Sequence, residues 1–241
     1  MKIAVLSDIH GNKEALKAVL DDIQQRNIDS IYNLGDILYG PLFPLETFDV
    51  LKGMDIKSVS GNCDRMLLQA SSDNPTAQYV INMLDNEHKD WLNNLPFSIQ
   101  TEDFYFCHAS PESDEQYLLH DITINGAILK QPQDIMNLVK EIPQNIIFCG
   151  HSHLPAIVYL PNGKVIVNPG SVGLPAYEED EPFYYKMESG TPFANYTIVE
   201  KHDSDWIFAQ INIAYDVSDA IKQSEKLNRP DWARALKLGY V

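Results

Sequence analysis

The chain has 241 residues, 44% of them hydrophobic and 22% charged, with a net charge of −16 at pH 7. That length buries a full core as one domain, 1–241, and the composition is that of a soluble globular protein. The acidity argues against nucleic acid held through its phosphates and against an anionic membrane surface, while a small phosphorylated ligand stays compatible wherever bound cations reverse the local field. No apolar run reaches membrane-spanning length, and the segment before Asp8 is too short for a secretion signal. Three cysteines, Cys63, Cys107 and Cys149, make an odd set. The expectation is a reducing cytoplasm and no disulfide framework.

The apolar run Ile3 to Leu6 predicts a buried strand over 2–7 that stops at Ser7-Asp8-Ile9-His10-Gly11-Asn12. In extended backbone residues i and i+2 point the same way, so Asp8 and His10 are expected to aim at one point beyond the strand's end. Asn12 is placed to cap a helix in which Ala15, Val19, Leu20 and Ile23 keep helical spacing. Ser30 to Leu34 is a second apolar run, closed by Gly35-Asp36, and the β-α-β pattern implies a parallel sheet. A proline-containing loop leads to a helix around 45–51, then to a third strand over 56–59 closed by Gly61-Asn62-Cys63-Asp64. Residues 65–95 read as helical with a break near Asn74-Pro75, and Trp91 and Leu95 are the expected core anchors.

A hairpin over 98–100 and 104–106 ends at Cys107-His108, and both Cys107 and Cys149 read as small buried residues. Residues 109–132 are polar and read as a long loop or small insertion, followed by a helix over 134–140. A strand over 145–148 ends at Gly150-His151-Ser152-His153. From there the pattern is antiparallel: a hairpin over 156–160 and 164–167, the segment Asn168-Pro169-Gly170-Ser171-Val172-Gly173, and a second hairpin over 193–200 and 206–213. The acidic run 178–181 reads as a solvated loop, and two short helices close the chain over 216–227 and 232–238.

The polar clusters share one placement. Asp8/His10, Asp36, Asn62, His108 and His151/His153 each follow a short apolar run, and four of the seven histidines lie among them. The carboxyl ends of parallel strands line one edge, where sites form. Alone, each piece has a plain structural explanation: a turn at Asp8-x-His10 or Gly35-Asp36, an Asx-turn at Asn62, a satisfied core histidine at His108. Together they gather two carboxylates, one amide oxygen and four imidazoles. That exceeds one tetrahedral ion and suits two metals, with Asp36 the natural bridge.

In this order and spacing the motifs resemble those of the calcineurin-like metallophosphoesterases: Asp-x-His, Gly-Asp, Gly-Asn-His-Asp/Glu, His and Gly-His-x-His. Asn168-Pro-Gly-Ser-Val-Gly and the closing strands resemble the small bacterial and archaeal phosphodiesterase branch, including hydrolases that split diadenosine tetraphosphate asymmetrically. The resemblance implies an α/β/β/α two-sheet sandwich with a dimetal site at the carboxyl ends of the strands. It implies one divalent ion on Asp8, His10, Asp36 and His153, and a second on Asp36, Asn62, His108 and His151. A metal-bridging hydroxide would then attack phosphodiester or phosphoanhydride bonds. The mixed oxygen and nitrogen donors suit Mn, with Fe, Zn, Co or Ni also compatible, more than Ca. The implied substrate is a small phosphorylated molecule, dinucleoside polyphosphates being one candidate. The alternatives are a phosphomonoesterase or protein phosphatase and, from another class, a non-catalytic protein-binding scaffold such as the related retromer subunit. No ligand position is lost here, which weighs against the scaffold.

One position departs from the pattern: Cys63 stands where the family carries a His taken to contact the phosphate and protonate the leaving oxygen. A thiol is a poorer donor and carries no positive charge. The expectation is a preference for leaving groups that need little protonation, with a mere space-filling role for Cys63 as the alternative. Asn12, Tyr39, Asp64 and Arg65 flank the motifs as candidate supporting or phosphate-contacting residues. Arg65 is the cation expected to meet a substrate phosphate, unless it is spent in a surface salt bridge.

Overall fold

The computed structural model describes residues 1–203 and 205–241. The first half runs β1 (Lys2–Leu6), α1 (Lys13–Gln24), β2 (Ser30–Asn33), α2 (Pro44–Leu51), β3 (Ile56–Ser58), α3 (Asn62–Leu67), α4 (Pro75–Met83), α5 (Asn86–Asn93), β4 (Ser98–Gln100) and β5 (Phe104–Cys107). There follow β6 (His120–Thr123), β7 (Gly126–Leu129), α6 (Pro132–Leu138), β8 (Ile146–Phe148), β9 (Ala156–Tyr159) and β10 (Val165–Asn168). The chain closes with β11 (Ala176–Glu179), β12 (Tyr185–Glu188), β13 (Ala194–His202), β14 (Asp205–Ile213), α7 (Ser218–Lys226) and α8 (Pro230–Leu238).

Two five-stranded sheets form, in the orders β14-β13-β1-β2-β3 and β4-β5-β8-β10-β9. In the first, β1, β2 and β3 are parallel and β13 returns antiparallel against β1. In the second, β5, β8 and β10 are parallel and β4 and β9 flank them antiparallel. Period-two alternation decides the layers. Ile3 and Val5 face the second sheet and pack with Tyr32, Phe104, Phe106, Phe148 and Val167. Ala4 and Leu6 face outward beneath the helices, with Leu16 and Val19 of α1 and Phe48 of α2. On the far side, Tyr105, Cys107, Ile147 and Cys149 pack beneath Ile135 of α6. The result is the α/β/β/α sandwich.

Three local expectations change. The stretch 65–95 forms three helices, because Asp85 caps α5 by accepting from His88 N at 3.2 Å and so divides it from α4. On α5 the fully buried residue is Leu92, while Trp91 and Leu95 pack partly buried at the core's margin. The acidic run 178–181 is not all loop. Glu178 and Glu179 belong to β11, where they stand opposite Lys186 and Tyr185 of β12, and backbone ladder bonds form the ribbon without a hydrophobic period. The insertion at 109–132 carries its own hairpin, β6–β7.

Candidate metal centre

Five strands deliver the polar clusters: β1, β2 and β3 from one sheet, β5 and β8 from the other. Asp8 and His10 converge, but not by the i, i+2 alternation of a strand. They do not project from extended backbone. Their φ angles are 55° and 52°, in the left-handed region, and Asp36, His151 and His153 share that region at 54°, 65° and 58°. Left-handed backbone costs an L-residue roughly 1 kcal/mol or more and persists only where surrounding bonds impose it. Here Asp8 N donates to Gly35 O at 3.0 Å and His10 N to Asp36 O at 2.9 Å. Ser171 Oγ and Gly173 N both donate to Asp8 O, at 2.8 and 2.9 Å. Two glycines are required for close approach. A Cβ on Gly61 would lie 2.1 Å from Asp36 Oδ1, and one on Gly150 would lie 1.9 Å from Ser7 Oγ.

Asp8, His10 and His153 form the first donor group. His10 Nδ1 donates to Tyr39 O at 3.0 Å and His153 Nδ1 to Leu174 O at 2.6 Å. A carbonyl only accepts, so both rings carry their proton on Nδ1 and present a lone pair on Nε2. Those two Nε2 atoms face each other at 3.2 Å. Asp8 Oδ1 is buried without a hydrogen-bond donor, 3.2 Å from His153 Nε2. Three lone-pair donors turned inward on one point repel unless a cation sits among them. Burial and the neighbouring His153 push His10 down to about 4, so it stays neutral.

Asp36, His108 and His151 form the second group. His108 Nδ1 donates to Leu34 O at 2.7 Å, and its Nε2 lies 3.1 Å from Asn62 Oδ1 and 3.5 Å from Asp36 Oδ2. Burial disfavours its charge, but Asp36 outweighs burial and raises it to about 10. Without a cation, an imidazolium proton fills the space between amide and carboxylate. His151 Nε2 donates to Glu115 O at 3.0 Å, which leaves Nδ1 as its free donor atom. Burial and then His108 push His151 down to about 4. Asp36 stands between the groups: Oδ1 accepts from Cys63 N at 2.9 Å, and Oδ2 lies 3.5 Å from His108 Nε2 and 3.9 Å from His10 Nε2. Burial resists its ionisation, but the charged His108 beside it holds Asp36 well below the usual carboxylate range. The donor set and its inward lone pairs fit two divalent cations sharing Asp36.

The flanking candidates separate. Asp64 does not line the cleft; it lies behind Asp36, accepting from Asp36 N, Ile37 N and Gly61 N at 2.8, 2.9 and 3.0 Å. Burial and then Asp36 raise it to about 7. Cys63 does line the cleft, and burial followed by Asp36 pushes its thiol well above the ordinary value, so it stays protonated. Asn12 caps α1 and donates to Gly173 O and Tyr215 Oη, at 2.9 and 3.0 Å. Arg65 turns away from the cleft: Nε and Nη2 grip Asp114 at 2.7 and 3.0 Å, and Nη2 reaches Glu115 Oε1 at 2.8 Å.

The cation that does line the cleft, alone of its kind among the described residues, is Arg229 at the start of α8, paired with Asp231 and bonded to Thr76. The cleft has a volume of about 240 Å³, walled by Tyr39, Tyr177 and Trp232, with Glu178 and Glu179 among its acids. Trp232 meets His10 edge-on at 5.8 Å between ring centroids. Sequence reading missed Arg229 and Trp232 because they lie some eighty residues beyond His153 and follow no strand. It also missed Leu174, Glu115 and Tyr117, which act through backbone carbonyls or ring stacking and have no residue signature.

A two-sheet α/β sandwich with paired acid and imidazole groups at its strand ends defines a metal-dependent phosphoesterase class. The chain belongs to the calcineurin-like phosphoesterase superfamily, whose domain profile matches residues 1–188. It is similar to the uncharacterized protein MJ0912 of Methanocaldococcus jannaschii, 30% identical across 95% of this chain and 94% of that one. It is also similar to the metallophosphoesterase from Sphaerobacter thermophilus. That crystal structure matches 99% of this chain and 100% of its own at 25% identity, with a TM-score of 0.77. Among the described residues no helix is long and apolar enough to cross a membrane.

Proposed function

We propose that the whole chain, 1–241, is one domain that hydrolyses small phosphodiesters with two divalent cations, Mn being the metal to try first. Asp8, His10, Asp36 and His153 would hold one ion; Asp36, Asn62, His108 and His151 the other. The observation that carries the reading is the 3.2 Å approach of the His10 and His153 Nε2 atoms, both rings having spent Nδ1 on a carbonyl. When bound, such ions supply Lewis acidity and a water nucleophile ionised near neutral pH. The chain's own residues do the rest. The carbonyls of Leu34, Tyr39, Leu174 and Glu115 hold the four imidazoles in the ligating tautomer. Cys63 N ties one Asp36 oxygen, leaving the other free. Asp64 holds the Asp36 and Gly61 turns in register. The three buried free thiols suit a reducing cytoplasm.

Charge argues for a diester over a polyphosphate. Two divalent cations less Asp8 and Asp36 leave a surplus suited to one phosphoryl group. Further phosphates would lie against Glu178, Glu179 and Asp231, and Arg229 is already paired with Asp231. The cleft therefore favours a singly charged diester whose ester groups are uncharged or cationic. A neutral thiol at Cys63 supplies neither charge nor a ready proton, which also disfavours alkyl monoesters.

The test is hydrolysis of bis-p-nitrophenyl phosphate, p-nitrophenyl phosphate and diadenosine tetraphosphate, with added Mn²⁺ and after chelation. The expected order places the diester first, with activity lost on chelation and restored by Mn²⁺. Polyphosphate as the best substrate would overturn the charge argument. Cys63→His is expected to raise kcat/KM for an alkyl monoester, whose leaving oxygen needs a proton, by about tenfold or more, as an added general acid should, with little change for the p-nitrophenyl diester. An unchanged ratio in a variant that still takes up metal would reduce Cys63 to a space-filling residue.

A further inference from the structure

The geometry points to Arg65 as a positioning residue for the second ion, acting through the insertion at 109–132; this rests on the two-metal reading above. His151 is the partly buried member of its donor group and lies in a loop with left-handed backbone, so its orientation needs outside support. That support comes largely from the insertion. Glu115 O accepts from His151 Nε2 at 3.0 Å, and the Tyr117 ring stacks on the imidazole at 4.6 Å with 22° between planes. Tyr117 Oη in turn joins Tyr177 Oη at 2.7 Å, and Tyr177 Oη donates to His151 O at 3.0 Å. The insertion thus fixes which nitrogen of His151 is left free and how the ring is turned.

Arg65 ties this stretch to the helix that follows β3. It belongs to α3, the helix that begins at Asn62, the amide expected to share an ion with His151. Its guanidinium forks onto both oxygens of Asp114 and also reaches Glu115, the residue whose carbonyl holds His151. One side chain therefore joins the helix carrying one donor to the loop orienting another. A bidentate guanidinium suits this because it restrains direction as well as distance. As a stability element the same pair counts for little. The Arg65 side chain is 51% exposed, and solvent-exposed ion pairs contribute little to stability.

These two roles predict different results, and simple charge predicts a third. Removing a positive charge near a cation site should tighten metal binding. Loosening the Glu115 carbonyl should weaken it, and only at the second ion. The experiment is calorimetric titration of MnCl₂ into chelator-treated full-length protein, with electron paramagnetic resonance reporting whether the bound Mn²⁺ ions are spin-coupled. The variants are Arg65→Ala, Arg65→Lys and Asp114→Asn.

The expected result is two ions in the wild type. In each variant the weaker-bound ion should lose about tenfold or more in affinity, the usual scale for a lost outer partner of a ligand. The first ion should be unchanged, the coupled signal reduced at subsaturating metal, and thermal melting of the metal-free protein nearly unaltered. Arg65→Lys should fail to rescue, since an ammonium cannot span both Asp114 oxygens and Glu115. Equal or tighter binding of the second ion in Arg65→Ala, or parallel weakening of both ions, would overturn the assignment. Wild-type protein that takes up fewer than two ions would overturn the two-metal reading itself, and this inference with it.

Discussion

Asp36→Asn is expected to lower kcat/KM for a phosphodiester by about a thousandfold or more, the loss of roughly 4 kcal/mol of transition-state stabilisation. Asp36 Oδ1 is held by Cys63 N at 2.9 Å, and an asparagine will keep its carbonyl oxygen there. The amide NH₂ then takes the place of Oδ2, 3.5 Å from His108 Nε2 and 3.9 Å from His10 Nε2. A donor replaces the acceptor common to both groups. Metal analysis of the purified variant should find clearly fewer than two ions per chain, while its far-ultraviolet circular dichroism stays native. Retention of two ions with more than about a tenth of the wild-type rate would show that Asp36 is not shared between them.

Phe106→Ala should destabilise the protein by about 3–5 kcal/mol, a large part of the roughly 5–15 kcal/mol that holds a domain folded. Phe106 is fully buried between the two sheets. Its ring stacks on Tyr32 of the first sheet at 4.0 Å and 7°, and on Phe148 of its own sheet at 4.9 Å and 10°. Truncation removes both stacks and leaves a cavity whose walls belong to different sheets, so neither can close it by a small side-chain shift. Denaturant melts of the metal-free protein measure the effect. A loss under about 1 kcal/mol would mean that the sheets slide together, and the sandwich would then be softer than its packing implies. The folded fraction should still bind metal, since Phe106 faces the inter-sheet layer while His108 lies beyond the strand's end.

Much of the fold is readable from the residues because it rests on local repetition. The unbroken apolar run Ile3-Ala4-Val5-Leu6 specifies a strand buried on both faces, and Asn12 before an amphipathic run specifies a helix start. The runs ahead of Asp36, Asn62, His108 and His151 are equally local. Readings failed where the signal was compositional. Glu178 and Glu179 lack hydrophobic alternation and still form a strand, because their ladder partners Lys186 and Tyr185 lie in the facing strand. The charge of Arg65 is plain in the sequence, but not its destination, since Asp114 and Glu115 lie 49 and 50 residues on.

What the sequence determined by itself is the inventory of the site: which acids, amide and imidazoles follow apolar runs, and the one position where a cysteine replaces an expected histidine. These are chemical identities and survive any ambiguity of backbone. What only the tertiary structure decided is how the donors face. Asp8, His10, Asp36, His151 and His153 all adopt left-handed backbone that no strand periodicity predicts, imposed by bonds from neighbouring loops. Which imidazole nitrogen is free is set by the carbonyls of Tyr39, Leu34, Leu174 and Glu115, and a carbonyl belongs to every residue alike. Arg229 and Trp232 enter the cleft only because α8 folds back over it. Donor identity is written in side chains, whereas donor direction is a property of backbone packing between distant segments.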